Sequence, residues 1–534
     1  MSMTLAYRFF PYLSFALIAA LAIWLGFPND LISFPPLILL WPVALAFLGF
    51  CAPTWQEAAK YGWLGTFAGM TGALYWLSMP VAQVGGLAWP LAFVCALLIS
   101  FCLSIQGGIF AGVAWKCRKL APTLFIPVLS LTWYLLEYGL AIWPGFPWLS
   151  ISGALAPWPI MIQGATLVGS YLLGAIWAGL SLLVASVLLP ELKWTHKLGN
   201  LILASICIFI LLSYGGSRMA AIKLDSDFSK DEQINAILIE GNIDQNQKWT
   251  PEFQEKSLEI YLRLTNDALN QDLSDSATLI IWPETALPFF IEKNAPYMKR
   301  LRSAVRRWRT PLLFGAPGIE TDEVQSKDLI FNRAFLIAPN GDIRGHYDKE
   351  HLVPFGEYRP AWLNFEFLDA LMQGVGIYEE GANPMPLVWN KLALGILICY
   401  EGIFPWLAQE RIANGANLLV DISNDGWFGT TPAARQHLYQ TALRCVEQGR
   451  WLLRSTNTGI SASINPAGVI TKSGSLFERG AIHCSSRLVR EKTPFHKLYA
   501  WIPLGVMGIF CGLCLIAYLY MRKTGQKART NATL

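Results

Sequence analysis

The chain has 534 residues, enough for two or three ordinary domains, but its composition excludes a wholly soluble protein. Hydrophobic residues make up 54% and charged residues 15%, against roughly 45–50% and 25% in soluble domains. The mean hydropathy is +0.38. The formal net charge of +4 is small, and the basic residues lie mostly beside apolar segments, so nucleic-acid binding has no support.

Residues 1–216 are almost uniformly apolar, and segments long enough to cross about 30 Å of hydrocarbon recur along them. A cleaved signal peptide is an alternative for the first segment, but its apolar part is long and another apolar segment follows immediately. The prolines of the second segment predict a kink. We predict eight spans, near residues 9–27, 31–50, 62–79, 88–114, 121–143, 160–190, 198–216 and 498–520.

Basic residues predict the orientation, because loops rich in Lys and Arg remain on the cytoplasmic side. Every second loop carries them, whereas loops 28–30, 80–87 and 144–159 contain none. We therefore expect a bacterial inner-membrane protein with both termini cytoplasmic and its large polar domain in the periplasm. The expected organisation is a bundle of seven spans (1–216), an outer domain (217–497), an eighth span (498–520) and a basic cytoplasmic tail (521–534).

The outer domain alternates short β-rich runs with helical segments, which indicates an α/β layered domain. The Val, Ile and Leu content of the runs is typical of strands buried on both faces. Tight turns are predicted at 339–342 and 465–468. Strands are predicted at 235–240, 276–282, 311–315, 332–338, 393–398, 417–422 and 460–465, and helices at 252–270, 295–308, 403–413 and 432–449.

Three short motifs in this domain carry chemically useful side chains. Cys399 ends the apolar run 394–398, where a strand must turn sharply. Glu284 follows a Trp-Pro pair at another strand end, and Lys349 lies in a Tyr-Asp-Lys-Glu-His segment. Glu, Lys and Cys supply the base, the oxyanion stabiliser and the nucleophile of thiol-based acyl transfer.

A thiol is mostly protonated at neutral pH, so Cys399 needs a carboxylate to take its proton. In apolar surroundings the pKa of Glu284 rises toward a value useful for a base. Lys349 then supplies charge for a tetrahedral intermediate. The alternatives are structural: a buried cysteine at a strand end, a surface glutamate at a turn, and a solvated lysine beside Asp348 and Glu350.

The ten cysteines do not form a disulfide framework, since seven lie in or beside the predicted spans. Only Cys399, Cys445 and Cys484 fall in the outer domain, and an odd number leaves at least one unpaired. An unpaired thiol in an oxidising compartment is vulnerable to oxidation, which favours a functional reason for keeping one.

The order Trp-Pro-Glu, Tyr-Asp-Lys…Pro-Phe-Gly-Glu and Ile-Cys-Tyr-Glu resembles the nitrilase (carbon–nitrogen hydrolase) superfamily. With seven preceding spans and one trailing span, the chain is similar to the bacterial apolipoprotein N-acyltransferase family over essentially its whole length. Segments 424–429 and 453–457 also look like segments of that family. The resemblance implies a nitrilase-like αββα sandwich beside an α-helical multi-pass membrane domain.

The resemblance also implies a reaction and a set of site residues. An acyl chain passes from a membrane glycerophospholipid, through a thioester on Cys399, to the α-amino group of the N-terminal diacylglyceryl-cysteine of an apolipoprotein. The resemblance implies that Trp249, Tyr400 and Glu401 bind substrate. From its position eight residues after Lys349, Glu357 is expected to orient Lys349 or share its proton, the alternative being a solvent-facing glutamate. Relatives tend to carry Gln and Pro where this chain has Glu240 and Asp244, which leaves substrate contacts near Trp249 less certain.

No metal or cofactor is expected, because His351 and His437 lack metal-ligand spacing and no phosphate-cradling glycine loop is present. Nothing suggests an obligate protein partner, and a monomer is expected. The apolar stretch 361–377 has two interpretations: it covers an edge of the core, or it is an arm beside the site that dips into lipid or gates acyl chains.

Two competing functions remain. One is a membrane-tethered nitrilase-type amidase acting on a small amide, which leaves the many spans and the 361–377 stretch unexplained. The other is a non-catalytic receptor or transport component. Against transport, Glu137 is the only clear acidic residue inside the spans and has no basic partner there.

Overall fold

The structure is a computed structural model that describes residues 2–83, 85–224, 232–244, 248–271, 278–322, 327–358 and 378–532. The chain forms two compact units, and neither is continuous in sequence. The first unit contains residues 1–75, 94–219 and 494–534, and the second contains 76–93 and 220–493.

The helices are numbered in chain order over both units. They are α1 (Ser2–Gly26), α2 (Leu40–Cys51), α3 (Trp55–Leu74), α4 (Ser78–Gln83), α5 (Trp89–Leu103), α6 (Ile105–Cys117), α7 (Pro122–Ile142), α8 (Ile151–Leu155), α9 (Ala165–Ala185), α10 (Trp194–Leu224), α11 (Pro251–Gln271), α12 (Ala295–Trp308), α13 (Pro405–Ala413), α14 (Ala433–Gln448), α15 (Pro494–Leu498) and α16 (Trp501–Ala532).

Each of the eight predicted spans overlaps a helix of the structure. Five helical stretches in the described residues are long and apolar enough to cross a membrane. Two further stretches, Tyr12–Gly26 and Pro35–Cys51, are apolar but shorter, and α3 carries Glu57 and Lys60. The five stretches are Trp89–Cys117, Pro122–Ile142, Ala165–Leu188, Trp194–Lys223 and Trp501–Lys523.

Small residues let the helices of the first unit approach closely. A Cβ atom on Gly65 of α3 would lie 2.6 Å from the carbonyl oxygen of Ala16 in α1. One on Gly62 would lie 2.6 Å from the Cβ atom of Ala111 in α6. Close backbone approach at small residues is the usual way in which helices pack when apolar burial gives no preference between neighbours.

The second unit contains two six-stranded sheets. One has the order β12-β1-β2-β3-β4-β5 and the other β11-β10-β9-β8-β7-β6. The strands are β1 (Gln233–Glu240), β2 (Leu279–Ile281), β3 (Leu312–Asp322), β4 (Lys327–Ile337), β5 (Ile343–Asp348), β6 (Leu387–Trp389), β7 (Leu392–Ile398), β8 (Leu418–Ser423), β9 (Leu452–Thr456), β10 (Ala462–Ile464), β11 (Ile470–Ser473) and β12 (Gly480–Arg487).

The sheets pack face to face and helices cover both outer faces. Leu238 and Ile281 of the first sheet share one buried core with Ile396 and Val420 of the second. Helices α11 and α12 bury Tyr261 and Leu301, among other residues, against the first sheet, and α13 and α14 cover the second sheet. The predicted αββα sandwich is therefore confirmed, and the predicted turns at 339–342 and 465–468 join β4 to β5 and β10 to β11.

A segment from the first half of the chain belongs to the second unit. In residues 76–93, the Trp76 indole donates a hydrogen bond to the side-chain oxygen of Gln436 in α14, at 3.1 Å. The same indole meets the ring of Phe428 edge-on, with 4.9 Å between ring centroids. The Trp76 side chain that makes both contacts is buried, so this segment packs within the second unit.

Gly315 in β3 lies against the backbone of the segment that carries Glu284, whereas Gly345 in β5 has no backbone atom so close. A Cβ atom on Gly315 would lie 2.5 Å from the backbone nitrogen of Thr285 and 2.8 Å from the Cα atom of Glu284. A Cβ atom on Gly345 would meet only the end of the Leu387 side chain, at 3.4 Å.

Gly315→Ala should therefore lower the free energy of unfolding by about 1–3 kcal/mol, because the backbone must shift to admit the methyl group. Gly345→Ala is the matched control and should change stability by less than about 1 kcal/mol. Thermal unfolding of both variants in detergent checks the prediction. Equal stabilities would contradict it.

Candidate active site

Glu284 lies just after β2 and is 6% exposed. Its Oε1 atom accepts a hydrogen bond of 2.7 Å from the Asn332 side chain in β4. Its Oε2 atom is buried and has no hydrogen-bond partner among the described residues. Burial raises the pKa of Glu284 above its usual value, although nearby Lys349 partly opposes that rise. A carboxylate with one unoccupied oxygen and a raised pKa is suited to take up a proton.

Lys349 follows β5 and is 1% exposed. Its Nζ atom lies 2.8 Å from the Glu357 carboxylate and 3.9 Å from Oε1 of Glu284. Burial alone would lower the pKa of Lys349, but Glu357 and Glu284 outweigh it, and the pKa rises above its usual value. Lys349 is therefore a fixed cation and a poor proton donor.

Glu357 and Asn332 fix the position of this ion pair. The Asn332 amide donates to Oε1 of both Glu284 and Glu357, at 2.7 and 2.8 Å. The backbone N–H of Val353 donates to Oε2 of Glu357 at 2.8 Å. Glu357 therefore contacts Lys349 directly, and Asn332, which the sequence did not identify, contacts both carboxylates.

Cys399 begins a short 3₁₀ turn directly after β7 and is 8% exposed. Its φ of +55° lies in the left-handed region, which a non-glycine residue rarely adopts and which must be stabilised by its surroundings. Burial and then Glu284 raise the pKa of the Cys399 thiol well above its usual value, with Lys349 opposing them. The thiol is therefore protonated at neutral pH.

A buried polar network lies beneath the cysteine. The Nε2 atom of His437 donates to the backbone carbonyl of Cys399 at 3.1 Å, since a carbonyl oxygen only accepts. The Nδ1 atom of His437 lies 3.0 Å from Asp425. Arg454 is fully buried and forms ion pairs with Asp425, at 2.9 Å, and with Asp421.

This network fixes the turn that carries the nucleophile. Burial alone would raise the pKa of Asp425, but Arg454 and His437 hold it well below its usual value. Asp425 thus remains charged and orients His437 toward the Cys399 carbonyl. The sequence signal was available, because Asp421 is a carboxylate within the apolar strand β8 and pairs in register with Arg454 of β9.

Both carboxylate oxygens of Glu401 accept hydrogen bonds from other parts of the protein. Glu401 is fully buried, and its Oε1 atom accepts from the Tyr347 hydroxyl and from the backbone N–H groups of Glu350 and His351, at 2.8, 2.8 and 3.0 Å. Its Oε2 atom accepts from the N–H of Ile398 at 2.8 Å. Glu401 therefore ties the segment after β5 to the turn after β7, which positions both segments.

The two remaining predicted substrate contacts lie at the margin of this centre. Tyr400 is 8% exposed, and its ring lies 4.9 Å from Phe404 and 5.9 Å from His351 between centroids. Trp249 is 44% exposed and follows Lys248, whose Nζ atom donates to the backbone carbonyl of Glu284 at 3.5 Å. The predicted 361–377 arm lies outside the described residues.

One group of metal-ligand type occurs in the described residues. Glu320, His346 and Asp348 bring their ligand atoms within 4.8 Å of one another. Arg333 lies 2.5 Å from both carboxylates, so an arginine already neutralises them. We assign an ion-pair role to this group.

Comparison with known proteins identifies the family. The chain is 32% identical to an apolipoprotein N-acyltransferase from Geobacter metallireducens over 95% of both chains. The chain belongs to the apolipoprotein N-acyltransferase family. A member from Azotobacter vinelandii is 28% identical over 92% of both chains. A member from Haemophilus influenzae is also 28% identical, over 86% of this chain and 87% of its own.

Two family models divide the chain between them. The N-terminal domain of apolipoprotein N-acyltransferases matches residues 4–183, and the carbon-nitrogen hydrolase family matches residues 243–488. The relatives and this second match together show that the chain is an acyltransferase with a carbon-nitrogen hydrolase domain, and Glu284, Lys349 and Cys399 lie within that domain. The family and the apolar helices together make it a membrane protein.

Solved structures are also similar to about half of this chain. Saccharomyces cerevisiae Nit3, a member of branch 10 of the nitrilase superfamily, is similar over 48% of this chain and 90% of its own, with 16% identity and a TM-score of 0.38. An amidase from Nesterenkonia is similar over 50% and 94%, with 19% identity and a TM-score of 0.36.

Glu401→Gln should destabilise the protein by about 2 kcal/mol, because an amide NH₂ would face an N–H donor and leave buried groups unpaired. Thermal unfolding in detergent measures this change. Glu379→Gln, at a 39% exposed carboxylate paired with Lys327, is the control and should have little effect. Similar stability losses in both variants would contradict the positioning role.

Proposed function

We propose that Cys399 carries an acyl chain as a thioester between a membrane glycerophospholipid and the α-amino group of an apolipoprotein. N-acylation of lipoproteins is the activity of the family to which the chain belongs. The observation that supports this route through Cys399 is the buried cluster of Glu284, Lys349 and Glu357 beside a strained cysteine turn. It provides a base with a free oxygen and a fixed cation next to one thiol.

In the first half-reaction the Cys399 sulfur attacks an ester carbonyl of the phospholipid. The thiol proton moves to Oε2 of Glu284 as the carbon–sulfur bond forms, and the carbonyl oxygen becomes an oxyanion beside Lys349 and backbone N–H groups near Tyr400. The ester carbon–oxygen bond then breaks. Glu284 returns the proton to the leaving oxygen, which gives a lysophospholipid and leaves the acyl chain on sulfur.

In the second half-reaction the free N-terminal amine of a diacylglyceryl-cysteine attacks the thioester carbonyl. Glu284 accepts a proton from the nitrogen and delivers it to the departing sulfur of Cys399. The products are an amide and the original thiol, so the enzyme is unchanged at the end of the cycle. This is a ping-pong mechanism, and no cofactor takes part in the proposed steps.

Lipid-anchored substrates explain why the catalytic unit is joined to apolar helices. We assign residues 1–216 to seven spans, 217–497 to a periplasmic catalytic domain, 498–520 to an eighth span and 521–534 to a cytoplasmic tail. Both substrates then reach the site laterally from the outer leaflet of the inner membrane. The proposed partners are the phospholipid donor and the apolipoprotein, for which Trp249, Tyr400 and Glu401 are the proposed binding residues, and the working unit is a monomer.

Cys399→Ala should abolish the thioester, because no other group at the centre is a nucleophile of this kind. The measurement is intact mass after incubation of the purified protein with a defined phospholipid alone. Cys484→Ala removes a buried cysteine in β12 and should acquire the acyl mass as the wild type does.

A Cys399→Ala protein that still N-acylates an apolipoprotein would refute the thioester route. A wild-type protein that is acylated by small amides and never by phospholipid would favour the membrane-tethered amidase instead.

The assigned topology predicts which lysines a membrane-impermeant amine reagent modifies in intact spheroplasts. Lys293 and Lys327 are exposed in the catalytic unit and should be modified. Lys119 and Lys523 are exposed on the predicted cytoplasmic side and should react only after lysis. Peptide mass spectrometry distinguishes the two patterns, and the reverse pattern would overturn the orientation.

A further inference from the structure

Lys248 is a second buried cation at the catalytic centre, and the proposed reaction above gives it no task. It precedes Trp249 in the segment after β1 and its side chain is fully buried. Its Nζ atom donates to the backbone carbonyl oxygen of Glu284 at 3.5 Å, which is a long hydrogen bond. No carboxylate of the described residues lies within ion-pair distance of it. Burying an ammonium group with so few partners costs free energy, so we expect its charge to have a use.

The charges of the cluster indicate that use. Two carboxylates, Glu284 and Glu357, are buried there, and among the described residues Lys349 is the one cation within ion-pair distance of them. The Nζ atom of Lys349 lies 2.8 Å from Glu357 but 3.9 Å from Glu284. The attraction between Lys349 and Glu284 is therefore the weaker of the two. With Lys248 the cluster contains two negative and two positive charges. Without it, the cluster carries one excess negative charge in a buried site.

We infer that Lys248 is a positioning residue that keeps Glu284 ionised and thereby ready to accept the proton of Cys399. This inference rests on the proposed function, because it assigns Lys248 to the same base. A buried excess charge is most easily removed by protonating a carboxylate, and Glu284 is the carboxylate with an unpaired oxygen. A protonated Glu284 is no longer a base.

The balance also holds during the reaction. When Glu284 has taken the thiol proton, a negative charge resides on sulfur or on the carbonyl oxygen, and two ammonium groups and the Glu357 carboxylate remain. The sum of charges is the same before and after the transfer. With Lys248 present, two positive charges therefore balance two negative charges both before and after the proton transfer.

The pH dependence follows from the groups around Glu284. Burial raises the pKa of Glu284, and Lys349 and then Lys248 act against that rise. Burial lowers the pKa of Lys248 to about 8, so it is charged at neutral pH and loses its effect above that value. The other groups that face this pair from the neighbouring elements are Asn332, Glu357, Tyr378 and Cys399.

Lys248→Met removes the charge and retains most of the side-chain volume. The rate of thioester formation from phospholipid, measured by intact mass across pH 5–9, should fall by about tenfold at neutral pH. The acid limb of the profile should move up by about one pH unit, which is the same tenfold change in the protonation of Glu284. Above about pH 8 the variant and wild-type profiles should converge, because Lys248 is then neutral in the wild type.

Two further variants separate charge from folding. Lys248→Arg keeps the charge and should keep the wild-type acid limb even if its overall rate is lower. Lys293→Met removes an exposed lysine, paired with Asp328 at 3.2 Å, and should leave the profile unchanged. If Lys248→Met does not fold, Lys248→Gln provides the same test, with the acid limb rather than the absolute rate as the readout.

An acid limb that stays in place in both neutral variants would overturn the role of Lys248. So would a limb that moves equally in Lys248→Arg, because charge would then not be the cause. A wild-type protein that forms no thioester would instead contradict the proposed function, so the two failures are distinguishable.

Discussion

Lys349 lies between two buried carboxylates, and the geometry of the catalytic centre depends on that contact. Removing charges from water costs several kcal/mol for each ion, and only close pairing with further hydrogen bonds offsets the cost. Glu357 and Glu284 share the Asn332 amide, and Glu357 also has a backbone donor. Movement of one group would therefore leave another buried and unpaired, and this fixes the ends of β2 and β5 relative to each other.

The nucleophile depends on a second network of the same kind in the other sheet. Cys399 occupies the left-handed region at the end of β7, and His437 contacts its carbonyl oxygen. Asp425 and Arg454 then fix His437 from below. Glu401 joins the two networks, because its carboxylate holds the segment after β5 and the turn after β7 together. The positions of these segments therefore depend on buried polar groups that contact one another across the two sheets.

Local sequence patterns identify candidate residues where a chemically useful side chain directly follows an apolar strand or lies in a short motif. Glu284 and Cys399 each follow an apolar run, and Lys349 and Glu357 belong to one short motif. Asn332 and Lys248 were missed because their importance comes from contacts across the fold, at 2.7 Å and 3.5 Å from atoms of Glu284. Nothing in the local pattern indicates which way either side chain points.

The missed strands have a similar explanation. In β5, Ile343, Arg344 and His346 are exposed, and no apolar run marks this edge strand. Every residue of β9 is buried, yet Arg454 interrupts its apolar pattern because it pairs with carboxylates inside the core. Among the predicted spans, the third is the hardest to recognise as a membrane helix, because Glu57 and Lys60 shorten the apolar part of α3.

The inserted segment at residues 76–93 has a consequence for how the chain is made. Trp76 leaves the ribosome long before Gln436, its partner 360 positions later, has been translated. At bacterial elongation rates that interval is roughly 20–70 s. The hydrogen bond between Trp76 and Gln436 can therefore form only after the start of α14 has been translated, so the second unit is completed late in synthesis.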